Sequence, residues 1–202
     1  MDNHQSLPRC WHGIVTLFLV SLMLVTGCGE TTGDESATDG SETTPLTVEM
    51  LKNAAYRGIY PDTVQLTDGQ YEGEPFVEGG ASRPTVVITD ATAFGDLNGD
   101  GVDDAVVVLV ENSGGSGNFR YLAAVLNQAG SPENVATQLI GDREQVQSVT
   151  IDGANITVKA LAHGPDDPMC CPTQEVTLTY RFDGEELVRT SEETSSRDTP
   201  AV

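Results

Sequence analysis

The sequence predicts a mainly β protein, an antiparallel sheet or partly closed barrel of roughly seven to nine strands with one short N-terminal helix. Two observations support this prediction. Apolar and β-branched residues occur in short runs of strand length, and Asp-Gly turn signals recur between such runs. Short turns of this kind join neighbouring antiparallel strands. An α+β fold is the alternative.

The predicted helix covers residues 48–54. Thr47 precedes it as the N-cap, because a threonine hydroxyl can accept a hydrogen bond from an amide of the first turn. Glu49 lies in that first turn, where a carboxylate complements the positive end of the helix dipole. The later runs are short and β-branched, so we expect strands after this helix.

The predicted strands are short apolar or alternating runs. Asp-Gly turns begin at Asp68, Asp152 and Asp183, and each separates two potential strands. The runs at 105–110 and 122–126 are the most apolar, so we expect them to be neighbouring central strands. The predicted strands cover residues 63–66, a run that begins at 71, and residues 85–89, 105–110, 122–126, 149–151, 156–158, 176–182 and 186–188.

The N-terminal residues predict an export signal. Arg9 precedes an apolar run at residues 14–25, which is too short for a comfortable membrane span but has the length of a signal-peptide core. The run ends in Leu-Val-Thr-Gly-Cys, which resembles the bacterial lipobox. The resemblance implies that residues 1–27 are a lipoprotein signal peptide and that Cys28 carries acyl chains such as palmitate. An ordinary secretory peptide is the alternative.

Polar segments flank the predicted domain. The segment 28–45 is acidic and has no aromatic residue, so it cannot bury enough surface to offset its ordering entropy, and we expect a flexible tether. A disordered tail is expected at 193–202. The single β-rich domain then covers residues 46–192, the usual size of one domain with one core.

Charge and targeting limit the possible partners. The chain has Lys+Arg 10 against Asp+Glu 31, a formal net charge of -21, so nucleic acid is excluded as an expected partner. The lipobox implies a bacterial envelope protein outside the cytoplasm, attached to a membrane through the anchor at Cys28. We expect a monomer, and the sequence identifies no protein or glycan partner.

Residues 96–104, here called the acidic loop, have the spacing of a calcium site. Asp96, Asn98, Asp100 and Asp104 place oxygen side chains at the first, third, fifth and ninth positions, and glycines between them permit a tight curl. Calcium prefers such oxygen ligands, and the predicted cofactor is therefore calcium. The loop is not an EF-hand, because the twelfth position holds Val107 in place of a bidentate Glu. A turn cluster without metal is the alternative.

The run Phe-Gly-Asp-Leu-Asn-Gly-Asp-Gly that begins at Phe94 resembles the calcium loop of FG-GAP repeats. The resemblance implies that Asp96, Asn98, Asp100 and Asp104 are ligands and that the backbone carbonyl of Val102 is a fifth. FG-GAP repeats occur in series around a propeller. This chain has one copy, so the propeller and its adhesion roles are not expected.

A second constellation contains the remaining cysteines of the processed chain. Cys170 and Cys171 are adjacent and follow Met169 in a proline-rich segment that also contains His163. A disulfide between the two cysteines is feasible in an oxidising compartment. Soft-metal ligation by these four residues and free or intermolecular thiols are the alternatives.

The whole domain resembles a group of uncharacterised bacterial envelope lipoproteins that combine one FG-GAP-like loop with a late Asp-Pro-Met-Cys-Cys-Pro segment. A looser resemblance to the LppP/LprE lipoproteins rests on the lipobox and the acidic loop. No catalytic motif occurs, so we expect no enzyme. The expected function is a lipid-anchored calcium-binding structural or binding module. The alternative is an envelope metal-binding or redox protein that uses His163, Cys170 and Cys171.

Overall fold

The computed structural model describes residues 43–195, all of which belong to one compact unit. The predicted signal peptide 1–27, the lipidation site Cys28 and the tether 28–45 up to residue 42 lie outside the described residues. Residues 196–202 of the predicted tail also lie outside the described residues. Within 43–195, no helix is long and apolar enough to cross a membrane.

The described chain is mainly β, as predicted, with one short helix followed by strands that all pair in antiparallel fashion. The elements are α1 (Val48–Lys52), β1 (Ala55–Tyr56), β2 (Val64–Gln65), β3 (Gln70–Glu72), β4 (Thr85–Gly95), β5 (Asp104–Asn112), β6 (Phe119–Gln128), β7 (Ser131–Asp142), β8 (Gln145–Asp152), β9 (Asn155–Ala162), β10 (Gln174–Phe182) and β11 (Leu187–Thr194).

The helix begins where the sequence predicts and ends two residues early, at Lys52 instead of Ala54. Thr47 is the N-cap, and its side chain accepts a hydrogen bond from the amide of Met50. Asn53 is the C-cap, and its Nδ2 donates to the carbonyl of Glu49 at 3.0 Å. Ala54, which follows the C-cap, is buried, with an exposed fraction of 5%.

The strands form two main sheets and one small one. The central sheet has the order β3-β4-β5-β6-β7, and the outer sheet has the order β11-β10-β9-β8. Strands β1 and β2 pair only with each other and, together with α1, make up the N-terminal layer. One sheet is curled into a half-barrel, in agreement with the predicted partly closed barrel.

Strands β5 and β6 are buried on both faces of the central sheet. Alternate residues of β5, such as Val106 and Val108, pack against the outer sheet in one hydrophobic cluster. The residues between them, such as Val107 and Leu109, pack against the N-terminal layer in another. Burial on both faces explains why the two predicted central strands are nearly continuous apolar runs.

The structure corrects the predicted set of strands. Eleven strands lie within the described residues, against the expected seven to nine, because short pairings such as Ala55–Tyr56 leave almost no pattern in the sequence. The sequence pattern does not reveal the strand Ser131–Asp142, although it is twelve residues long. It begins near a proline and carries the buried polar residue Asn134, so its apolar alternation is broken.

The last strand is longer than the predicted run at 186–188. Strand β11 continues to Thr194, two residues beyond the expected boundary at 192, and Thr194 pairs with Val176 of β10. Every residue of β11 after Leu187 is exposed, so backbone pairing holds this polar segment in the sheet. Composition alone therefore marked the end of the strand as a tail.

Two tyrosines are fully buried and differ in one contact. The Tyr56 hydroxyl donates to the carbonyl of Leu51 at 2.8 Å. The Tyr180 hydroxyl is buried without a hydrogen-bond partner among the described residues. A buried polar group without a partner costs free energy, whereas a paired one does not.

We therefore expect opposite effects from two identical substitutions. Tyr56→Phe should lower the free energy of unfolding by about 1 kcal/mol because it removes a buried hydrogen bond. Tyr180→Phe should leave this free energy unchanged or raise it by about 1 kcal/mol because it removes an unpaired hydroxyl. Urea denaturation at pH 7 measures both, and equal losses in the two variants would contradict the prediction.

The pH dependence of the free energy of unfolding gives a second test of the burial of Tyr180. Burial raises the pKa of Tyr180 to about 12. Because an unfolded tyrosine titrates near about 10, the unfolded state loses its proton first, and the free energy of unfolding falls as the pH rises from about 10 toward 12. Tyr180→Phe should make this alkaline loss of stability less steep than in the unsubstituted protein.

Candidate functional site

The acidic loop connects the end of β4 to the start of β5. Two glycines inside it, Gly99 and Gly101, have φ values of 81° and 85°, which glycine adopts without steric cost. No atom would lie within 4 Å of a Cβ added at either glycine. The backbone conformation therefore requires glycine at both positions, and close packing does not. This is the role that the sequence predicts for them in a tightly curled loop.

The carboxylate of Asp96 organises the turn. Its Oδ1 accepts hydrogen bonds from the amides of Gly99 at 2.7 Å and Asp100 at 3.2 Å. Its Oδ2 accepts one from the amide of Gly101 at 3.0 Å. Three successive backbone N–H groups are thus directed at one side chain, which fixes the curl of the loop.

Asn98 and Asp100 are joined directly. The amide of Asp100 donates to Asn98 Oδ1 at 2.9 Å, and Asn98 Nδ2 donates to Asp100 Oδ2 at 2.9 Å. Asp100 Oδ1 accepts from the amide of Val102 at 2.8 Å. The structure therefore brings Asp96, Asn98 and Asp100 together, with Val102 as the next residue of the same network.

Asp104 differs from the other predicted ligands because it is fully buried. Its Oδ2 accepts from the amide of Leu97 at 2.9 Å, and its Oδ1 accepts from the amide of Asn127 at 2.9 Å. The pKa of this carboxyl group is raised above its ordinary value, mainly by burial. The nearby charge of Asp100 also raises it, whereas the hydrogen bonds from Asn127 and Leu97 oppose the rise. Asp104 thus fastens the loop to the end of β6.

Asn127 is a structural partner of the loop that the sequence did not reveal. Its exposed fraction is 5%, and its Oδ1 accepts from the amide of Gly130 at 2.7 Å. Its Nδ2 donates to the carbonyls of Thr44 at 3.0 Å and Asp103 at 3.4 Å. The residue lies at the end of a predicted apolar strand, and only the Asn-Gln-Ala-Gly turn signal that it begins distinguishes it in the sequence.

The acidic loop contains the kinds of ligand atom that calcium binds. Carboxylate, amide and carbonyl oxygens are the ligands that calcium prefers, and an ionised carboxylate offers about four lone-pair sites. Hydrogen bonds occupy some of these sites on Asp96, Asp100 and Asp104, and each of the three carboxylates keeps at least one site for a cation. The Asn98 Nδ2 bond to Asp100 would have to be exchanged for oxygen contacts to the ion.

Within residues 43–195, however, no three or more His, Cys, Asp or Glu side chains are grouped as in a metal site. The predicted set has only three carboxylates and completes its shell with Asn98 and the carbonyl of Val102. Rearrangement of the loop side chains would therefore accompany binding of an ion.

The second predicted constellation lies in the connection between β9 and β10, residues 163–173, here called the sulfur loop. Cys170 and Cys171 form a disulfide between adjacent residues, and both are exposed. Met169 is 67% exposed, and its carbonyl lies 3.2 Å from His163 Nε2. The His163 ring therefore contacts the backbone of Met169.

Asp167 holds the sulfur loop in place. Its Oδ2 accepts from the amides of Gly164 at 2.8 Å and Thr173 at 2.7 Å, and its Oδ1 accepts from the Thr173 hydroxyl at 2.8 Å. These bonds, the one from Gly164 first, lower the pKa of the Asp167 carboxyl group. One carboxylate thus joins the two ends of the loop that carries the disulfide.

Comparison with models of protein families, with curated proteins and with solved structures finds no match to this chain. The resemblances to FG-GAP loops, to envelope lipoproteins and to the LppP/LprE group therefore stay predictions.

Asp167→Ala should make the disulfide easier to reduce. Loss of the hydrogen bonds at Gly164 and Thr173 loosens the loop, so reduction by a water-soluble phosphine should accelerate roughly threefold to tenfold. Mass spectrometry after thiol alkylation measures the rate. Asp166→Ala is the matched control, because Asp166 is exposed and makes no hydrogen bond among the described residues.

The difference between the Asp167→Ala variant and the unsubstituted protein should depend on pH. Because the folded-state pKa of Asp167 is lowered, its contribution is present above the ordinary carboxyl pKa of about 4 and is lost as the pH falls through the folded value. The two reduction rates should begin to approach each other as the pH falls below about 4. Equal rates at neutral pH would show that Asp167 does not hold the loop.

Proposed function

We propose that the protein is a lipid-anchored, extracytoplasmic, calcium-binding structural or binding module in which a calcium ion stabilises the acidic loop. The observation that carries the proposal is the position of that loop. The loop ends at the buried residue Asp104, which is also the first residue of β5. The next residues of this strand, Ala105–Leu109, have no exposed surface. An ion that orders the loop would stabilise the start of the most buried strand.

The loop residues have separate roles in this proposal. Asp96, Asn98 and Asp100 supply side-chain oxygens near the surface, and Val102 supplies a backbone carbonyl. Asp104 supplies a carboxylate whose charge is otherwise buried. A bound calcium ion supplies positive charge, which lowers the repulsion between Asp100 and Asp104.

The predicted compartment supports the proposal. Three carboxylates and one amide favour an affinity in the range of about 0.1 to 1 mM, typical of calcium sites in extracellular modules. The formal net charge of -21 also favours binding of a divalent cation over an anion. The lipobox at Cys28 would keep the protein where calcium is plentiful.

Calcium should therefore raise the melting temperature of protein prepared in chelator. If the dissociation constant is about 1 mM, then 10 mM calcium stabilises the fold by about 1.4 kcal/mol, which corresponds to a shift of about 3 to 6 °C. Asp100→Ala should abolish the shift because it removes one ligand carboxylate. Differential scanning calorimetry with calcium or magnesium measures it.

Asp103→Ala is the matched control for Asp100→Ala. Asp103 is exposed and adjacent to the ligand positions, and its side chain accepts no hydrogen bond within the loop. The calcium shift should survive in this variant. A melting temperature that does not respond to calcium in the unsubstituted protein would refute the proposed function.

A redox or metal-binding role for the sulfur loop is the second candidate. The observation that favours it is the exposure of the disulfide beside Met169 and His163. Two-electron reduction by a dithiol or phosphine would release two thiols, which together with the thioether and the imidazole are soft ligands suited to copper(I).

The reduced protein should then bind one copper(I) ion, whereas the oxidised protein should not. Anaerobic titration against a chromogenic copper(I) chelator, with intact mass recorded before and after reduction, measures this. Met169→Leu keeps the bulk of the side chain and removes the thioether, so it should weaken binding. A reduced protein that takes no copper from the chelator would rule out this metal-binding role.

A further inference from the structure

Residues 43–46, here called the junction, are where the described chain begins, and the acidic loop lies beside them. A cleft of about 360 Å³ is lined on one side by Thr43 and Pro45 and on the other by Gly101, Val102 and Asp103. The second half of the loop therefore forms a wall that the junction faces.

One buried side chain joins the junction to the loop. Asn127 Nδ2 donates both to the carbonyl of Thr44 and to the carbonyl of Asp103, and the backbone amide of Asn127 donates to Asp104 Oδ1. The side chain is itself fixed, because its Oδ1 accepts from the amide of Gly130. The orientation of this one amide group thus depends on the loop and the junction together.

Packing strengthens the same link. A Cβ placed on Gly130 would lie 3.0 Å from Thr44 Cβ, so the turn after Asn127 lies directly against the junction. Two residues further on, Leu46 is 6% exposed and belongs to the hydrophobic cluster under the N-terminal layer. If Thr44 detached, Leu46 would lose the contact that holds the chain before it.

We propose that Asn127 is a positioning residue that couples the acidic loop to the junction, so that calcium in the loop also tightens the chain at residues 43–46. This inference rests on the proposed function for its calcium dependence. It adds a regulatory consequence, because the junction joins the folded domain to the predicted tether. Loss of calcium would make brief local opening of the junction, which uncovers the buried Leu46, more frequent.

Hydrogen–deuterium exchange of the full chain tests the coupling. Exchange is compared in calcium and in chelator for peptides covering residues 43–50, residues 96–104 and, as a reference, residues 176–182 of β10. Calcium should slow exchange in the first two peptides by about tenfold, the effect of roughly one hydrogen bond, and leave the third unchanged.

Asn127→Ala should separate the two responses. The variant keeps the backbone amide that donates to Asp104 but lacks the Nδ2 bonds to Thr44 and Asp103, so calcium should still slow the loop while the junction no longer responds. Asn112→Ala is the matched control, because Asn112 also holds a turn, with bonds to Gly114 at 2.7 Å and Gly117 at 2.8 Å, in a different loop. The junction of this control should respond normally.

The outcomes separate the two proposals. If calcium slows the loop but not the junction in the unsubstituted protein, the coupling is refuted and the calcium site stands. If calcium changes neither peptide and does not raise the melting temperature, the calcium site fails and the calcium dependence of the junction fails with it. A junction that still responds to calcium in Asn127→Ala would refute the role of Asn127. If that variant does not fold, the comparison within the unsubstituted protein still decides whether the loop and the junction are coupled.

Discussion

Burial of β5 and β6 on both faces is the constraint on which the rest of the structure depends. Residues Ala105–Leu109 and Leu122–Val125 have no exposed surface, so a single sheet cannot shield them from water. The chain meets this requirement with two different covers. The N-terminal layer lies on one face, and the outer sheet, which comes later in the chain, lies on the other. The acidic loop is placed by the same constraint, since it joins the surface to the first buried residue of β5.

The sequence predicted the elements whose local chemistry matches their final environment. The apolar runs of β5 and β6, the N-cap at Thr47 and the Asp-Gly turns are of this kind, and at Asp68 and Gly69 the backbone has the positive φ values that such a turn requires. The strands that it missed are those whose environment is set by distant residues. Strand β7 carries Asn134, which is buried because its Nδ2 donates to the carbonyls of Ala124 and Ala136 and its Oδ1 accepts from the amide of Arg57. A pattern based on apolar alternation cannot anticipate a buried polar residue that is paired across the sheet.

In the candidate site, too, local features could be predicted from the sequence and contacts between distant residues could not. The spacing of oxygen side chains singles out Asp96, Asn98 and Asp100, which share one hydrogen-bond network. Within residues 43–195, however, the carboxylates of the loop are not grouped as in a metal site. The spacing did not distinguish Asp104 from the other carboxylates, although it is the one that is buried and bonded to a neighbouring strand. Nor did it reveal Asn127, which lies 23 positions after Asp104 and meets it only because β5 and β6 are neighbours.

Asp104 also bears on what a calcium ion would do in the proposed site. Its two oxygens already accept hydrogen bonds from Leu97 and Asn127, so its position is fixed before any ion arrives. Asp96 is held in the same way by the amides of Gly99, Asp100 and Gly101. An ion would then have to rearrange mainly the side chains of the exposed pair Asn98 and Asp100, while the backbone of the loop keeps its curl. A sensor requires two states that differ widely in structure, whereas this loop offers one state that an ion can tighten. The contacts of the acidic loop therefore favour a stabilising ion over a switching one.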